Sequence, residues 1–251
     1  MNGVVSENIG SRSFEEFQEE QRQLAVLVPA LGASLGVIID AGGEKVFVVD
    51  DRGRIVNDMH FLTAFVSLTV RLAPGVVAVP VYAPSAIEQI VAANGGRVQR
   101  MRASAEAQMS LAAREHPLLI GDGLGGFIFP RFHPSFDGLF ATVRLLELLT
   151  TVKQRLGEVI DQTPPVHVAR LQVVCPWEQK GRVMRMLAQD PQTERTRQVD
   201  GVKHQNDGEW IVVLPDADRP LFNVYAEAKD DDRAWVLVHE YADKLERLRT
   251  T

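Results

Sequence analysis

The chain has 251 residues, 45% hydrophobic and 24% charged, which is typical of a soluble globular protein with one large domain or two to three small ones. Its formal net charge of −6 argues against a nucleic-acid groove or an anionic-membrane surface. A single cysteine, Cys175, excludes an intrachain disulfide and a multi-cysteine zinc site. Because no run approaches the roughly 18–20 apolar residues of a membrane span, we expect a cytoplasmic protein.

A helix and a β-hairpin are predicted at the start of the chain. The helix covers residues 14–31, with Ser13 as its N-cap. The strands of the hairpin are residues 35–39 and 46–49. The acidic turn between them contains Asp40, Gly42, Gly43 and Glu44. Since carboxylate oxygens hold hard cations such as Mg²⁺, Asp40 and Glu44 are candidate metal ligands, and the alternative is a self-capped surface turn.

Helices and strands alternate between residues 58 and 161, a pattern typical of a parallel α/β layer. The expected N-caps are Asp58, Ser85 and Ser104. The predicted strands are residues 76–81, 98–102 and 117–120, and the predicted helices are 58–72, 85–93, 104–114 and 136–161. Arg100 and Arg102 share one side of a strand and are candidate phosphate contacts, with a solvated edge as the alternative.

The segment Thr163-Pro164-Pro165 predicts a linker, and the chain changes character after it. Residues 166–251 predict a small α+β unit, in which helices cover one face of an antiparallel sheet. Its strands are residues 166–174, 199–203, 209–214 and 221–228, and its helices are 177–187, ended by Pro191, and 231–249. The dipeptide Asp207-Gly208 favours a tight hairpin turn between the second and third strands.

Several segments in this order resemble the α-D-phosphohexomutases, the phosphoglucomutase and phosphomannomutase type. The strand LGASLGVIID and the acidic turn DAGGEK (residues 40–45) are similar to a strand of that family and its D-G-D-G-D-R metal loop. The resemblance implies Mg²⁺ as the cofactor, held by three aspartates. Here Asp40 matches the first ligand, Gly42 stands at the second and Glu44 at the third, so we expect weakened metal binding.

The sequence GDGLGG (residues 121–126, the glycine loop) is similar to the family's sugar-recognition loop, G-E-x-S-G-H. The resemblance implies that Asp122, Gly123 and Gly125 are sugar-binding positions. Leu124 and Gly126 replace the serine and the histidine of that motif, and the alternative is a simple glycine-rich connection between strands.

The sequence LPDADRP (residues 214–220, the proline loop) is similar to the family's phosphate loop, R-P-S-G-T-E-P. Both prolines are kept, but aspartates stand at both hydroxyl positions, and a carboxylate repels a phosphate. Arg219, together with Arg100, is our candidate for phosphate binding, and the alternative is a solvated turn.

The resemblance implies three units: part of the second mutase domain (residues 1–57), a mixed α/β third domain (58–163) and an α+β C-terminal domain (166–251). The chain is also similar to the mutase-like tails of bacterial sugar-nucleotide pyrophosphorylase fusions, which implies a nucleotidyltransferase partner. The family interconverts hexose 1-phosphates and 6-phosphates through a serine in a T-A-S-H-N-P segment. No Ser-His-Asn occurs in this sequence, so no catalytic residue is assigned and we predict no mutase turnover by the isolated chain.

Three functional interpretations follow. The chain is a phosphohexomutase that is inactive alone, a non-catalytic module that binds a sugar phosphate or tunes a pyrophosphorylase partner, or a remnant without a ligand. The hairpin strands would leave open sheet edges, which favours association, including a homo-oligomer.

Overall fold

The computed structural model describes residues 13–189, 199–206 and 208–250. Helix α1 (Phe14–Ala30) packs on an antiparallel hairpin of β1 (Leu35–Ile39) and β2 (Val46–Asp50). The predicted cap is confirmed, because the Ser13 side chain accepts from the backbone N–H of Glu16 and the Glu16 carboxylate accepts from that of Ser13.

A five-stranded sheet with the order β4-β3-β5-β6-β7 follows. Its strands are β3 (Val76–Pro80), β4 (Arg97–Met101), β5 (Leu119–Gly121), β6 (Phe127–Phe129) and β7 (His133–Phe136). Strand β3 runs parallel to β4 and β5, whereas β6 and β7 are antiparallel. The expected parallel layer is therefore a mixed sheet, because Gly123 and Gly125, with φ of 69° and 88°, reverse the chain within the glycine loop.

The helices of this lobe are α2 (Asp58–Leu72), α3 (Ala86–Ala93), α4 (Ala105–Glu115), α5 (Gly138–Val152) and α6 (Leu156–Gln162). The predicted single helix over 136–161 is wrong, because Lys153 adopts a left-handed conformation with φ of 55° and separates α5 from α6. The predicted cap at Asp58 is also wrong: the Asn57 side chain accepts from the first turn of α2. The Ser104 cap is confirmed, whereas Ser85 makes no side-chain cap bond.

The C-terminal lobe is an antiparallel sheet with the order β8-β11-β10-β9, packed against helices. Its elements are β8 (Val168–Val174), α7 (Trp177–Ala188), β9 (Val202–Asn206), β10 (Glu209–Pro215), β11 (Leu221–Glu227) and α8 (Asp231–Thr250). The predicted α+β unit is confirmed. The expected breaker Pro191 and the turn residue Asp207 lie outside the described residues.

The two lobes meet through a buried apolar and polar contact that fixes their separation. Tyr82 of the first lobe stacks on Tyr225 of the second, with ring centroids 4.1 Å apart. Trp210 donates to Ser85 and to Glu227, and the Glu227 carboxylate accepts from the Ser85 N–H. The unit boundaries at residues 57, 163 and 166 stay a prediction. Among the described helices, none is long and apolar enough to cross a membrane.

Candidate binding cleft

The acidic turn is held by its own aspartate. The Asp40 Oδ1 atom accepts from the backbone N–H of Glu44 at 2.8 Å and of Lys45 at 2.9 Å, while Glu44 is exposed. Within the described ranges, no three His, Cys, Asp or Glu side chains come together in a group that could hold a metal. The donor set therefore does not fit Mg²⁺, which needs several oxygen ligands in near-octahedral geometry.

The glycine loop is built around a buried carboxylate. Asp122 is 6% exposed, and its Oδ1 accepts from the N–H groups of Leu124 and Gly126, both at 2.7 Å. The Lys45 ammonium lies 3.8 Å from Asp122 Oδ2, so the acidic turn contributes a cation to the glycine loop. Burial raises the pKa of Asp122, and Lys45 partly offsets that rise. The predicted sugar contact Asp122 thus faces its own loop.

A second carboxylate lies close to Asp122 and was missed as a site residue. Asp58, in the first turn of α2, has a pKa raised to about 6, because burial and the neighbouring Asp122 carboxylate both oppose its ionisation. Lys45 and Arg170 act in the opposite direction. From the sequence, Asp58 was interpreted only as a residue at the start of a helix. Its proximity to Asp122 depends on tertiary packing, which the sequence pattern does not reveal.

The proline loop repeats the same arrangement at a more accessible position. The Asp216 Oδ1 atom accepts from the N–H groups of Asp218 and Arg219, both at 3.0 Å. Its Oδ2 atom accepts from Arg219 Nη2 at 3.0 Å and from Asn223 Nδ2 at 3.1 Å. Burial alone would raise the pKa of Asp216, but these hydrogen bonds and the Arg219 charge hold it below its ordinary value.

A lysine of α7 anchors the proline loop from behind. Lys180 is 7% exposed, and its Nζ donates to the carbonyls of Asp216 at 2.7 Å and Arg219 at 2.5 Å. The same ammonium lies 3.7 Å from the centroid of the Trp177 ring, a cation–π contact. A buried lysine needs such partners, so Lys180 fixes the loop. A single lysine on a predicted helix gives no sequence signal of this role.

The glycine and proline loops border one cleft of about 700 Å³ between the lobes. Its walls include Tyr82, Arg102, Leu124, Arg170, Arg219 and Tyr225. Of these, Arg102 and Arg219 were singled out from the sequence, whereas Arg170 was missed. Arg170 lies over the Tyr225 ring at 5.5 Å and donates to Asn223 Oδ1. Alternation along β8 could have placed Arg170 and Gln172 on one face of the sheet.

The structure places Arg100 outside this cleft. Its Nη1 donates to the carbonyls of Pro80 at 2.9 Å and Ala83 at 2.7 Å, and its Nε and Nη2 donate to the Glu88 carboxylate. The guanidinium of Arg100 thus stabilises the connection between β3 and α3. Arg102, which follows the last residue of β4, lines the cleft instead.

Comparison with known proteins points to one family. A sequence model of "Phosphoglucomutase/phosphomannomutase, alpha/beta/alpha domain III" matches residues 59–166. The chain is 28% identical to a "Probable phosphoglucosamine mutase" of Pyrococcus abyssi over 239 residues, which is 93% of this chain and 52% of that protein. The chain therefore spans about half the length of the curated relatives it matches.

Solved structures share the fold. A phosphoglucomutase/phosphomannomutase family protein of Burkholderia thailandensis superposes with a TM-score of 0.78 at 18% identity, covering 92% of this chain and 50% of that one. Aspergillus fumigatus N-acetylphosphoglucosamine mutase, solved with GlcNAc-6P and magnesium, gives a TM-score of 0.63 at 11% identity, covering 85% and 48%. The chain is therefore similar to phosphoglucomutase/phosphomannomutase domain III over residues 59–166 and shares the fold of these solved structures.

Proposed function

We propose that this chain binds a hexose phosphate in the interlobe cleft and has no mutase turnover on its own. The observation that supports binding most directly is the cleft itself, into which Arg102, Arg170 and Arg219 face between the glycine and proline loops. Its volume of about 700 Å³ lies within the range of small-molecule sites, roughly 300–1,000 Å³. Relatives named as phosphoglucosamine mutases make an amino-hexose phosphate the first ligand to test.

The charges of the cleft favour a weak ligand over a tight one. The same walls carry Asp200, Asp216 and Asp218, so the three guanidinium groups are balanced by three carboxylates. The Asp200 carboxylate is used between the lobes, where it accepts from the Ala103 N–H at 2.9 Å. A phosphate near Arg102 and Arg170 would be attracted by these two guanidinium groups. The attraction would be weak, because the carboxylates leave the cleft without a net positive charge.

The absence of turnover rests on the chemistry of the residues present. Phosphoryl shuttling needs a nucleophile to carry the group, and the 251 residues contain no Ser-His-Asn segment. The acidic turn offers Asp40 and Glu44, of which Asp40 already accepts two backbone hydrogen bonds. We infer that the metal and sugar motifs are degenerate in this chain.

Calorimetric titration with glucosamine 6-phosphate and glucose 1-phosphate tests binding. We expect a measurable affinity that falls about tenfold in Arg170→Ala, equivalent to about 1.4 kcal/mol. Arg144→Ala is the matched control, because Arg144 pairs with Glu147 on the surface of α5, away from the cleft. Absence of binding at millimolar ligand, or equal losses in both variants, would contradict the proposal.

A coupled assay tests turnover separately. It contains a hexose 1-phosphate, a hexose 1,6-bisphosphate activator and Mg²⁺, with the purified chain as the only added protein. We expect a rate equal to the blank. Turnover that survives repurification and scales with the concentration of this chain would overturn the inactivity.

A second candidate function is docking to a nucleotidyltransferase partner. The favouring observation is the apolar exposure of α1 and its C-cap, where Phe14, Val26 and Leu31 are 73%, 70% and 77% exposed. Size-exclusion chromatography with light scattering, with and without a purified sugar-nucleotide pyrophosphorylase, distinguishes a monomer, a homo-oligomer and a heterocomplex. A monomer under both conditions would count against this candidate.

A further inference from the structure

The proline loop surrounds one carboxylate with four hydrogen-bond donors. Two of them are the successive backbone N–H groups of Asp218 and Arg219, and the others are the Arg219 guanidinium and the Asn223 amide. All four converge on the Asp216 side chain at 3.0–3.1 Å. Successive N–H groups beside a guanidinium form the kind of donor set that binds a phosphate oxyanion.

We propose that the Asp216 carboxylate is an internal ligand that occupies the anion site of the proline loop and keeps phosphate out of it. This inference deepens the proposed function, because it explains how the cleft can hold a sugar phosphate while its phosphate-type loop contributes little. A bound phosphate would have to displace a carboxylate that is tethered to the site and carries the same sign of charge. Asp216 thus acts as an autoinhibitory contact.

The backbone donors and the Asn223 amide are also held by contacts that do not involve the Asp216 carboxylate. Lys180 holds the carbonyls of residues 216 and 219 from behind, and Pro215 and Pro220 restrict the backbone at both ends of the loop. Asn223 belongs to β11, where it pairs with Gln172 of β8 in the sheet. Removal of the Asp216 carboxylate should therefore leave the two N–H groups and the Asn223 amide in place, with the exposed Arg219 guanidinium free to pair with an external anion.

Asp218 provides a matched control within the same loop. Its side chain is exposed, whereas its backbone N–H is one of the donors to Asp216. Asp216→Ser and Asp218→Ser remove the same charge, but only Asp216→Ser removes the carboxylate that the four donors share. If phosphate affinity rises only because negative charge is removed, it should rise equally in both variants. If it rises because an occupied site is released, it should rise in Asp216→Ser alone.

The test is titration with inorganic phosphate, followed by calorimetry and by the amide resonances of residues 218 and 219 in ¹⁵N-labelled protein. We expect Asp216→Ser to bind phosphate at least about tenfold more tightly than the wild type, with both resonances shifting. Asp218→Ser should stay within about twofold of the wild type, since a surface charge contributes little. The gain should disappear in Asp216→Ser combined with Arg219→Ala.

Equal affinities of the two serine variants, or wild-type resonances that already shift with phosphate, would overturn the proposal. If Asp216→Ser does not fold by circular dichroism, Asp216→Ala decides, because it removes the carboxylate and leaves no side-chain acceptor for the four donors; no gain in that variant also overturns it. The readout is separate from hexose-phosphate binding by the wild type. If Asp216→Ser binds phosphate more tightly but the wild type binds no hexose phosphate, the proposed function is refuted. The proposal that Asp216 is an internal ligand is then still supported.

Discussion

The glycine loop and the proline loop contain the same hydrogen-bonded aspartate turn in two different environments. Each folds an aspartate back so that its Oδ1 accepts two N–H groups of its own loop. Asp122 is buried, with Lys45 at 3.8 Å, and its pKa is raised mainly by burial. The Asp216 side chain is partly buried, but its partner Arg219, at 3.0 Å, is exposed, and the pKa of Asp216 is lowered. The same turn thus faces a partly buried lysine in the glycine loop and borders the cleft in the proline loop.

The largest expected effect is a difference in the free energy of unfolding between variants of the two loops. Asp122→Ala leaves the N–H groups of Leu124 and Gly126 and the Lys45 ammonium without their acceptor in a buried position. An unsatisfied buried donor costs about 1–3 kcal/mol, so we expect the free energy of unfolding to fall by about 3 kcal/mol. Asp216→Ala should cost about 1 kcal/mol, because water reaches its donors. Urea denaturation followed by tryptophan fluorescence measures both.

The control for this comparison is Asp122→Asn, which keeps an oxygen acceptor for the two N–H groups. It should recover most of the loss, since only the contact with Lys45 changes. If Asp122→Ala and Asp216→Ala cost the same, burial does not distinguish the loops and the comparison is wrong.

The second expected effect concerns pH. The folded protein holds a proton on Asp58 up to about pH 6, whereas an ordinary aspartate loses it near 3.8. Between these values the unfolded chain binds fewer protons, so stability falls as the pH rises from about 4 to about 6. A rise from 3.8 to about 6, which already includes the opposing effects of Lys45 and Arg170, corresponds to a loss of about 2–3 kcal/mol. The lowered pKa of Asp216 acts with the opposite sign, below pH 4.

Asp58→Asn isolates this contribution. The variant cannot ionise, so its unfolding midpoint in urea should change less between pH 4 and pH 7, and it should exceed the wild type at pH 7. Asp232→Asn is the control, since Asp232 lies in the first turn of α8 in an exposed position. Parallel pH profiles for the wild type and Asp58→Asn would show that neither burial nor the Asp122 carboxylate raises the pKa of Asp58.

The sequence predicted what depends on local pattern. Helix α1 with its Ser13 cap, the first hairpin and the antiparallel C-terminal unit were correct, because apolar periodicity and capping residues are local signals. The break between α5 and α6 was missed, since Lys153 takes a left-handed conformation that favours glycine. The β-branched residues Thr150, Thr151 and Val152 before Lys153 are a weak signal of the stop that the interpretation passed over.

The sequence indicated candidate residues for the site but not the partners that these residues contact. Arg219 lines the cleft, but the glycine loop reaches it through Leu124 rather than through the candidates Asp122, Gly123 and Gly125. Arg100 is engaged by carbonyls of the β3–α3 connection. Lys180 and Arg170 come from elements that carry no motif, and their roles depend on how the two lobes and the sheet meet. Long-range partners of this kind are set by tertiary packing, which one sequence does not specify.

The smallest expected effect extends the comparison to the acidic turn. Asp40 accepts from the N–H groups of Glu44 and Lys45 at a largely solvated position, so water can replace its carboxylate in Asp40→Ala. We expect a loss of about 0.5–1 kcal/mol, well below that of Asp122→Ala. Because the turn does not fit Mg²⁺, millimolar Mg²⁺ should leave the melting temperature of the wild type and of Asp40→Ala unchanged. A magnesium-dependent rise in the wild type that Asp40→Ala abolishes would show that the turn binds metal, and the self-capped carboxylate would then be a resting state of a metal ligand.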